Sequence, residues 1–467
     1  MRLWQRLLEH EGIAAYAGEQ MVSYAELRAQ SQALAVQLWG ASPRASGRQL
    51  VLLQADNSLP SLLNYLACLW AGHAVLLVNA ELPAASVETL LQQYDPHLWL
   101  RPDAAPVPRH HRPMSLLPEL ALLLTTSGST GGAKLVRLSE QNLIANAESI
   151  VAYLEMAPDH LALTALPFAY SYGLSVIHSH LLCGAGLVLT NETPLQRGFW
   201  ECLKRYPVTQ LTGVPYSYQI YEQLRLRRQA WPHLRILTQA GGRLAPERVH
   251  DYALWCREQG IRFYVMYGQT EATARISYLP PELAADHPDS IGVAIPGGEL
   301  LLLDEQGNEM AAEPGVEGEL GYRGSNVMLG YAESLADLAL APMNPLLRTG
   351  DLGYRSADGL WFITGRLKRQ IKLSGVRWQL DSLERQCRDL GCTRACFVSL
   401  RSRICHAPLP ARSIIRHYSA RSRRRVHDGI AYRYFGSKLG RSAGCPRLWL
   451  ISGRKIRPAH GSSQCPE

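Results

Sequence analysis

Hydrophobic and polar positions along the chain alternate between two periods. "SYAELRAQSQALAVQLWG" places apolar residues at helical spacing, whereas "QLVLLQA" and "HAVLLVN" are short continuous apolar runs. "ASVETLLQQYDP" returns to the helical period, and "HLWL" again predicts a strand. "LLNYLACLWAGHAVLLVNAELP" is interrupted by Asn64, His73 and Asn79, which predicts a buried helix followed by a strand rather than a membrane span. The strand-like runs continue through "HLALTALP", "AGLVLT", "TQLTGVP", "LRILTQAGG" and "IRFYVMYG", many ending in Gly, Pro or polar residues. Strands alternating with helices predict doubly wound α/β sheets, with ligands at the carboxyl ends of the strands.

From about residue 290 the pattern shortens. "GGELLLLDEQGNEMAAEPGVEGELGYRG" carries short strands and turn residues, and "GDLGYRSADGLWFITGR" predicts a hairpin over Asp358-Gly359. The expected organisation is a large domain over residues 1–365, with a β-rich subdomain over about 290–365. A hinge and the start of a small α+β domain follow over 366–400, predicted as a strand pair, a helix and a strand. Residues 401–467 form a basic tail without clear periodicity.

Composition is that of a globular chain, with 47% hydrophobic and 19% charged residues in 467. The net charge of +8 describes the tail, not the body. Of 48 Lys+Arg and 40 Asp+Glu, 15 and two lie from Arg401 onwards, leaving 33 basic and 38 acidic residues in 1–400. No nucleic-acid partner is therefore expected except through the tail. The N-terminal stretch has no apolar core of signal length and the 10 Cys form no metal-ligand spacing, so a cytoplasmic protein with reduced thiols is expected.

The stretch "ELALLLTTSGSTGGAKLVRLSEQNL" concentrates chemistry. An apolar strand ends in hydroxyl residues, glycines let backbone N–H groups turn toward one point, and Lys134 adds a positive charge. Ser139 is placed to cap a helix whose Leu143, Ala147, Ile150, Val151 and Leu154 share a face. With a helix expected to follow the loop, an anion site is predicted. It is not the GxxxxGK[ST] phosphate loop, because Ala133 and Leu135 stand at its required Gly and Ser/Thr.

"TTSGSTGGAK" resembles the phosphate loop of the adenylate-forming enzymes: acyl-CoA synthetases, adenylation domains and luciferases. "YGQTEAT", "GELGYRGSNVMLGY", "RTGDLGY" and "GRLKRQIKLSGVRWQLDSLE" are similar to later motifs of that family, in the same order. The resemblance covers roughly residues 10 to 400. It implies activation of a carboxylic acid as acyl-AMP with release of pyrophosphate. Transfer to the thiol of CoA or of phosphopantetheine on an acyl carrier protein would follow. It implies ATP and Mg2+, with phosphate contacts from Thr126, Ser127, Gly128, Ser129, Thr130, Gly131 and Lys134. Glu271 is the implied metal ligand and Thr270 its nucleotide-contacting neighbour. Tyr267 would stack on the adenine, Gly241 and Gly268 are further implied nucleotide-binding positions, Asp351 would accept from the ribose hydroxyls, and Arg366 would hold ribose or phosphate. Lys368 is the implied hinge, and Gly375 lies where a pantetheine arm would approach. Ala133 replaces the usual loop Pro.

Amino-acid-activating relatives carry an Asp after the Phe of the segment reading "LPFAYSYGLS"; here Ala169 follows Phe168. A buried ammonium without a partner is costly. A fatty or aryl acid is therefore expected. A stand-alone amino-acid adenylation protein and a nucleotide-binding remnant are the alternatives. "GVPYSYQIY" and "QAGGRLAP" are expected to line the acyl pocket, with Tyr170, Tyr172, Tyr216 and Tyr218 as candidates. His178 and His180 are expected to be packing residues. The family's C-terminal "GK" lysine has no clean copy; "SGRKIRP" holds Lys455 with an extra Arg. A shifted reading frame after about residue 401, a divergent domain and a basic arm all remain open for the tail.

Overall fold

The computed structural model describes residues 2–41, 47–109, 114–125 and 134–367, and beyond them the backbone of short strands between 370 and 458. Two compact units divide the chain: Met1–Val316, Gly321–Thr349 and Arg355–Phe362 form the first, and Glu317–Leu320, Gly350–Tyr354 and Ile363–Glu467 the second.

The first unit contains a seven-stranded sheet at whose centre Leu50–Ala55, Ala74–Asn79 and Leu120–Thr125 run parallel. Every residue of Leu50–Ala55 is buried, as a strand covered on both faces requires. Helix Leu59–Trp70 makes the crossover between the first two strands, its N-terminus capped by the Ser58 side chain, which accepts from the Ser61 N–H. Helix Ala84–Tyr94 packs Val87, Leu90, Leu91 and Tyr94 into the same core as Leu50, Leu52, Leu76, Leu120 and Leu123. Each fully buried leucine there contributes about 2 kcal/mol of transfer free energy.

A second sheet places strands Leu161–Leu163, Gln210–Gly213, Ile236–Gln239 and Arg262–Tyr267 side by side and parallel, with Ser277–Leu279 returning antiparallel beside Arg262–Tyr267. The doubly wound α/β architecture read from the sequence is present. The hairpin at Asp358-Gly359 also forms: Gly359 adopts φ 84, and the Leu360 carbonyl accepts from the Ser356 N–H at 2.8 Å. In the second unit, Gln370–Leu373 pairs antiparallel with Val376–Gln379, and Lys455–Pro458 with Trp449–Ser452. The helix expected between these pairs lies outside the described residues.

One local expectation is corrected. The segment after the loop does not enter a helix directly. Leu135–Ser139 is first a strand, antiparallel to Leu120–Thr125 on one side and to Gly330–Ala332 on the other. All five of its residues are buried, including Arg137, whose Nη1 donates to the Leu340 carbonyl at 2.6 Å and Nη2 to the Leu329 carbonyl at 2.9 Å. Sheet pairing on both edges makes a strand of the short apolar run that lies between the loop and the expected helix. Helix Glu140–Leu154 then starts at Ser139, whose Oγ accepts from the Asn142 N–H while Asn142 Oδ1 accepts from the Ser139 N–H. Replacing Ser139 by Ala removes one side of that box, and a loss of about 1 kcal/mol is expected in denaturant unfolding.

Candidate active site

The first unit assembles its site at the carboxyl ends of its parallel strands. Strand Arg262–Tyr267 runs out through Gly268 into a 3-10 turn over Thr270–Ala272, which carries Glu271. Gly268 is required there: a Cβ would stand 1.9 Å from the Ala274 carbonyl oxygen. The segment is clamped by the stretch reading "GSNVMLGY". Asn326 Nδ2 donates to the Ala272 and Arg275 carbonyls at 2.9 and 2.8 Å, and its Oδ1 accepts from the Tyr322 hydroxyl. The Thr273 hydroxyl donates to the Asn326 carbonyl at 2.7 Å, and the Met328 N–H to the Glu271 carbonyl at 2.9 Å. Asn142 of the capped helix donates to the Ser325 and Val327 carbonyls, tying the helix N-terminus to the same stretch.

Tyr331 joins the two charged groups of this end. Its hydroxyl donates to Glu271 Oε1 at 2.8 Å, while Lys134 Nζ lies 3.6 Å from the centre of its ring and 3.7 Å from Glu333 Oε1. Burial, with the Glu271 carboxylate beside it, pushes the Tyr331 phenol above its ordinary value, so it remains a donor. Glu271 Oε2 has no hydrogen-bond partner among the described residues. A fixed carboxylate with one oxygen available, next to a positive charge at the foot of a glycine-rich loop, suits a hydrated hard cation accompanying an anion. Thr270 Oγ1 lies 3.3 Å from Ser171 Oγ, and Tyr267 is half-buried at the strand end.

In the second unit, Asp351 is buried and Arg366 Nε lies 3.0 Å from its Oδ1, with the arginine side chain 68% exposed. The Gly350 N–H donates to Glu319 Oε1. Of the residues proposed from sequence, Lys134, Gly241, Tyr267, Gly268, Thr270 and Glu271 belong to the first unit, and Asp351 and Arg366 to the second. Thr126, Ser127, Gly128, Ser129, Thr130, Gly131, Lys368 and Gly375 lie outside the described residues.

The four tyrosines separate. Tyr170 is half-buried, and its hydroxyl would meet a Cβ on Gly241 at 2.5 Å; Gly241 itself adopts φ +76. Tyr172 is buried with its hydroxyl 2.8 Å from Thr238 Oγ1. Tyr218 is a core residue donating to the Thr238 carbonyl, and Tyr216 is exposed. His178 and His180 are packed. Burial pushes His178 down to about 3, and its Nε2 lies 2.9 Å from the Tyr65 hydroxyl, while His180 Nδ1 lies 2.8 Å from the Val176 carbonyl. Sequence reading missed Tyr331 and Asn326 as site-building residues, although both stand inside a quoted motif.

A family model described as AMP-binding enzyme matches residues 4–119 and 103–332. The chain belongs to that family. Among curated members, the long-chain-fatty-acid–CoA ligase of Escherichia coli O157:H7 is 32% identical over 276 residues, covering 58% of this chain and 48% of that protein. Malformin synthetase mlfA of Aspergillus homomorphus is 26% identical over 414 residues, 80% of this chain and 8% of that protein. This AMP-binding chain thus spans about half the length of the CoA ligases it matches. Its fold is that of solved family members. The o-succinylbenzoate CoA synthetase of Bacillus subtilis superposes with TM-score 0.71 at 24% identity over 87% of both chains. MatB of Rhodopseudomonas palustris superposes with TM-score 0.68 at 23% identity over 83% of both chains. Among the described residues, no helix of this AMP-binding chain is long and apolar enough to cross a membrane.

Proposed function

We propose that the chain activates a carboxylic acid with ATP and then passes it to a thiol. A carboxylate oxygen attacks the α-phosphorus, the bond to the β-phosphate oxygen breaks, and pyrophosphate leaves; the thiol of CoA or of an acyl carrier protein then gives up its proton and attacks the acyl carbonyl carbon, forming the thioester as the bond to AMP breaks and AMP leaves. The observation that carries this reading is the Lys134–Tyr331–Glu271 array at the foot of the loop. Lys134 meets the charge of the leaving pyrophosphate, together with loop residues 126–131. Glu271 would hold magnesium, which supplies charge neutralisation at the phosphates. Tyr331 fixes the carboxylate so that little reorganisation accompanies reaction. Asp351 would accept from the ribose hydroxyls and Arg366 orient it; Gly241, Tyr267, Gly268 and Thr270 would border the base and α-phosphate, and Lys368 would serve as the hinge. One solved structural relative carries ATP and magnesium and several curated relatives are CoA ligases, which supports the same assignment.

The acid is a fatty or aryl acid rather than an α-amino acid. Ala169 stands where an ammonium partner would be needed, and it is half-buried beside Tyr170. Exchange of labelled pyrophosphate into ATP, driven by fatty, aryl and amino acids in turn, tests the proposal. Acid-dependent exchange with fatty or aryl acids is expected. Exchange with α-amino acids only would reverse the substrate assignment, and ATP binding with no exchange for any acid would leave a nucleotide-binding chain without turnover.

A further inference from the structure

Strand Leu135–Ser139 is apolar at Leu135, Val136 and Leu138, as burial on both faces requires, and Arg137 interrupts that run. Arg137 is 1% exposed, and a buried guanidinium is costly unless its donors are used. They go to a single segment. Nη1 donates to the Leu340 carbonyl at 2.6 Å, and Nη2 to the Leu329 and Ala341 carbonyls at 2.9 and 3.3 Å. Leu329 is held from both sides, since its N–H donates to the Arg137 carbonyl at 2.8 Å. Asp337 braces the same segment: its Oδ2 accepts from the Glu333 and Ser334 N–H groups, and its charge favours the cationic guanidinium.

This segment builds the array at the foot of the loop. Met328, just before Leu329, donates its N–H to the Glu271 carbonyl. Tyr331, two residues after Leu329, donates its hydroxyl to Glu271 Oε1 and places its ring against Lys134, three residues before Arg137. Gly330 stands opposite Arg137 and Tyr331 opposite Val136, and a slip of one residue would turn the phenol to the other face of the sheet. Strand Gly330–Ala332 has only three residues, so backbone pairing by itself fixes that register weakly. The three carbonyls have other partners within reach. Leu340 and Ala341 are exposed to water, and the Leu329 carbonyl also accepts from the Met343 N–H at 3.0 Å. What the guanidinium alone supplies is a side-chain link between the strand that follows Lys134 and the segment that carries Tyr331.

We propose that Arg137 is a positioning residue for adenylation. By locking residues 328–331 against the strand that follows Lys134, it sets Tyr331 between Lys134 and Glu271 and so fixes the carboxylate that would take magnesium. The inference rests on the adenylating reading above.

The test is a double-mutant cycle with Tyr331→Phe, read as the magnesium dependence of acid-driven pyrophosphate exchange at a temperature well below the Tm of every variant. Arg137→Met keeps the apolar stem and removes the donors. It is expected to lower exchange about 10-fold at limiting magnesium and to raise the magnesium requirement, as Tyr331→Phe does, with Arg137→Lys in between. Because the arginine acts through Tyr331, the double variant is expected to lose about 10- to 20-fold, whereas independent effects would multiply to about 100-fold. Multiplying losses, or a loss in Arg137→Met that added magnesium does not relieve, would overturn the proposal, mark an arginine needed for folding alone, and leave the adenylating reading intact. Should Arg137→Met fail to fold, the same cycle with Arg137→Lys decides by the same criterion. Failure of every acid in wild-type exchange would remove the adenylating reading. The cycle is then read on the thermal shift produced by ATP with magnesium, coupled losses supporting the positioning role and additive losses refuting it.

Discussion

Glu271→Gln is expected to lower acid-dependent pyrophosphate exchange by about two to three orders of magnitude, with little change in thermal stability. The amide has the size of the carboxylate and its oxygen can still accept from Tyr331, so the substitution removes charge and keeps the contact. Magnesium, which prefers charged oxygen ligands and is reluctant to dehydrate, loses its protein anchor. Tyr331→Phe separates positioning from ligation. The ring beneath Lys134 remains and only the donor to Glu271 Oε1 is lost. A smaller loss, about 10-fold, is expected, appearing as a higher magnesium requirement. Wild-type exchange in Glu271→Gln would remove Glu271 from the proposed site.

Asn326→Ala is expected to be the most destabilising of the substitutions considered. One buried side chain satisfies the Ala272 and Arg275 carbonyls and the Tyr322 hydroxyl. Each buried group left unpaired costs about 1–3 kcal/mol, so a loss of about 4 kcal/mol is reasonable. For a chain of this size that corresponds to roughly a 4 °C fall in Tm. Asn326→Asp gives a sharper check. It keeps the shape but turns a donor toward two carbonyl oxygens into a carboxylate, and should cost at least as much as alanine. A loss below about 1 kcal/mol for either variant in denaturant unfolding would show that the clamp does not hold the Glu271 turn.

These two residues also show what the sequence singles out and where it stops. Glu271 was legible because it stands in "YGQTEAT", a motif whose chemistry is carried by neighbouring residues. Lys134, Asp351 and Arg366 were legible on the same ground. The structure adds an ion pair between Asp351 and Arg366 that spacing alone did not indicate. Tyr331 and Asn326 lie inside "GELGYRGSNVMLGY", yet their roles come from contacts made 60 and 54 residues away. Arg275 carries no motif signal; its burial against the Tyr172 ring, with no ion pair among the described residues, is visible only in the fold.

The chain's own periodicity determined the α/β architecture, because strands buried on both faces must be continuously apolar and helices must carry an apolar face. It also determined the helix start at Ser139, a local hydrogen-bonding matter settled within three residues. Tertiary structure alone decided that residues 135–139 are a strand, since its two partners, 120–125 and 330–332, come from distant parts of the sequence. It likewise decided which of four tyrosines reaches Gly241, and that an arginine is buried among phenols. Burial and pairing are properties of what packs around a residue, and a linear pattern holds them only where the partner is near in the chain.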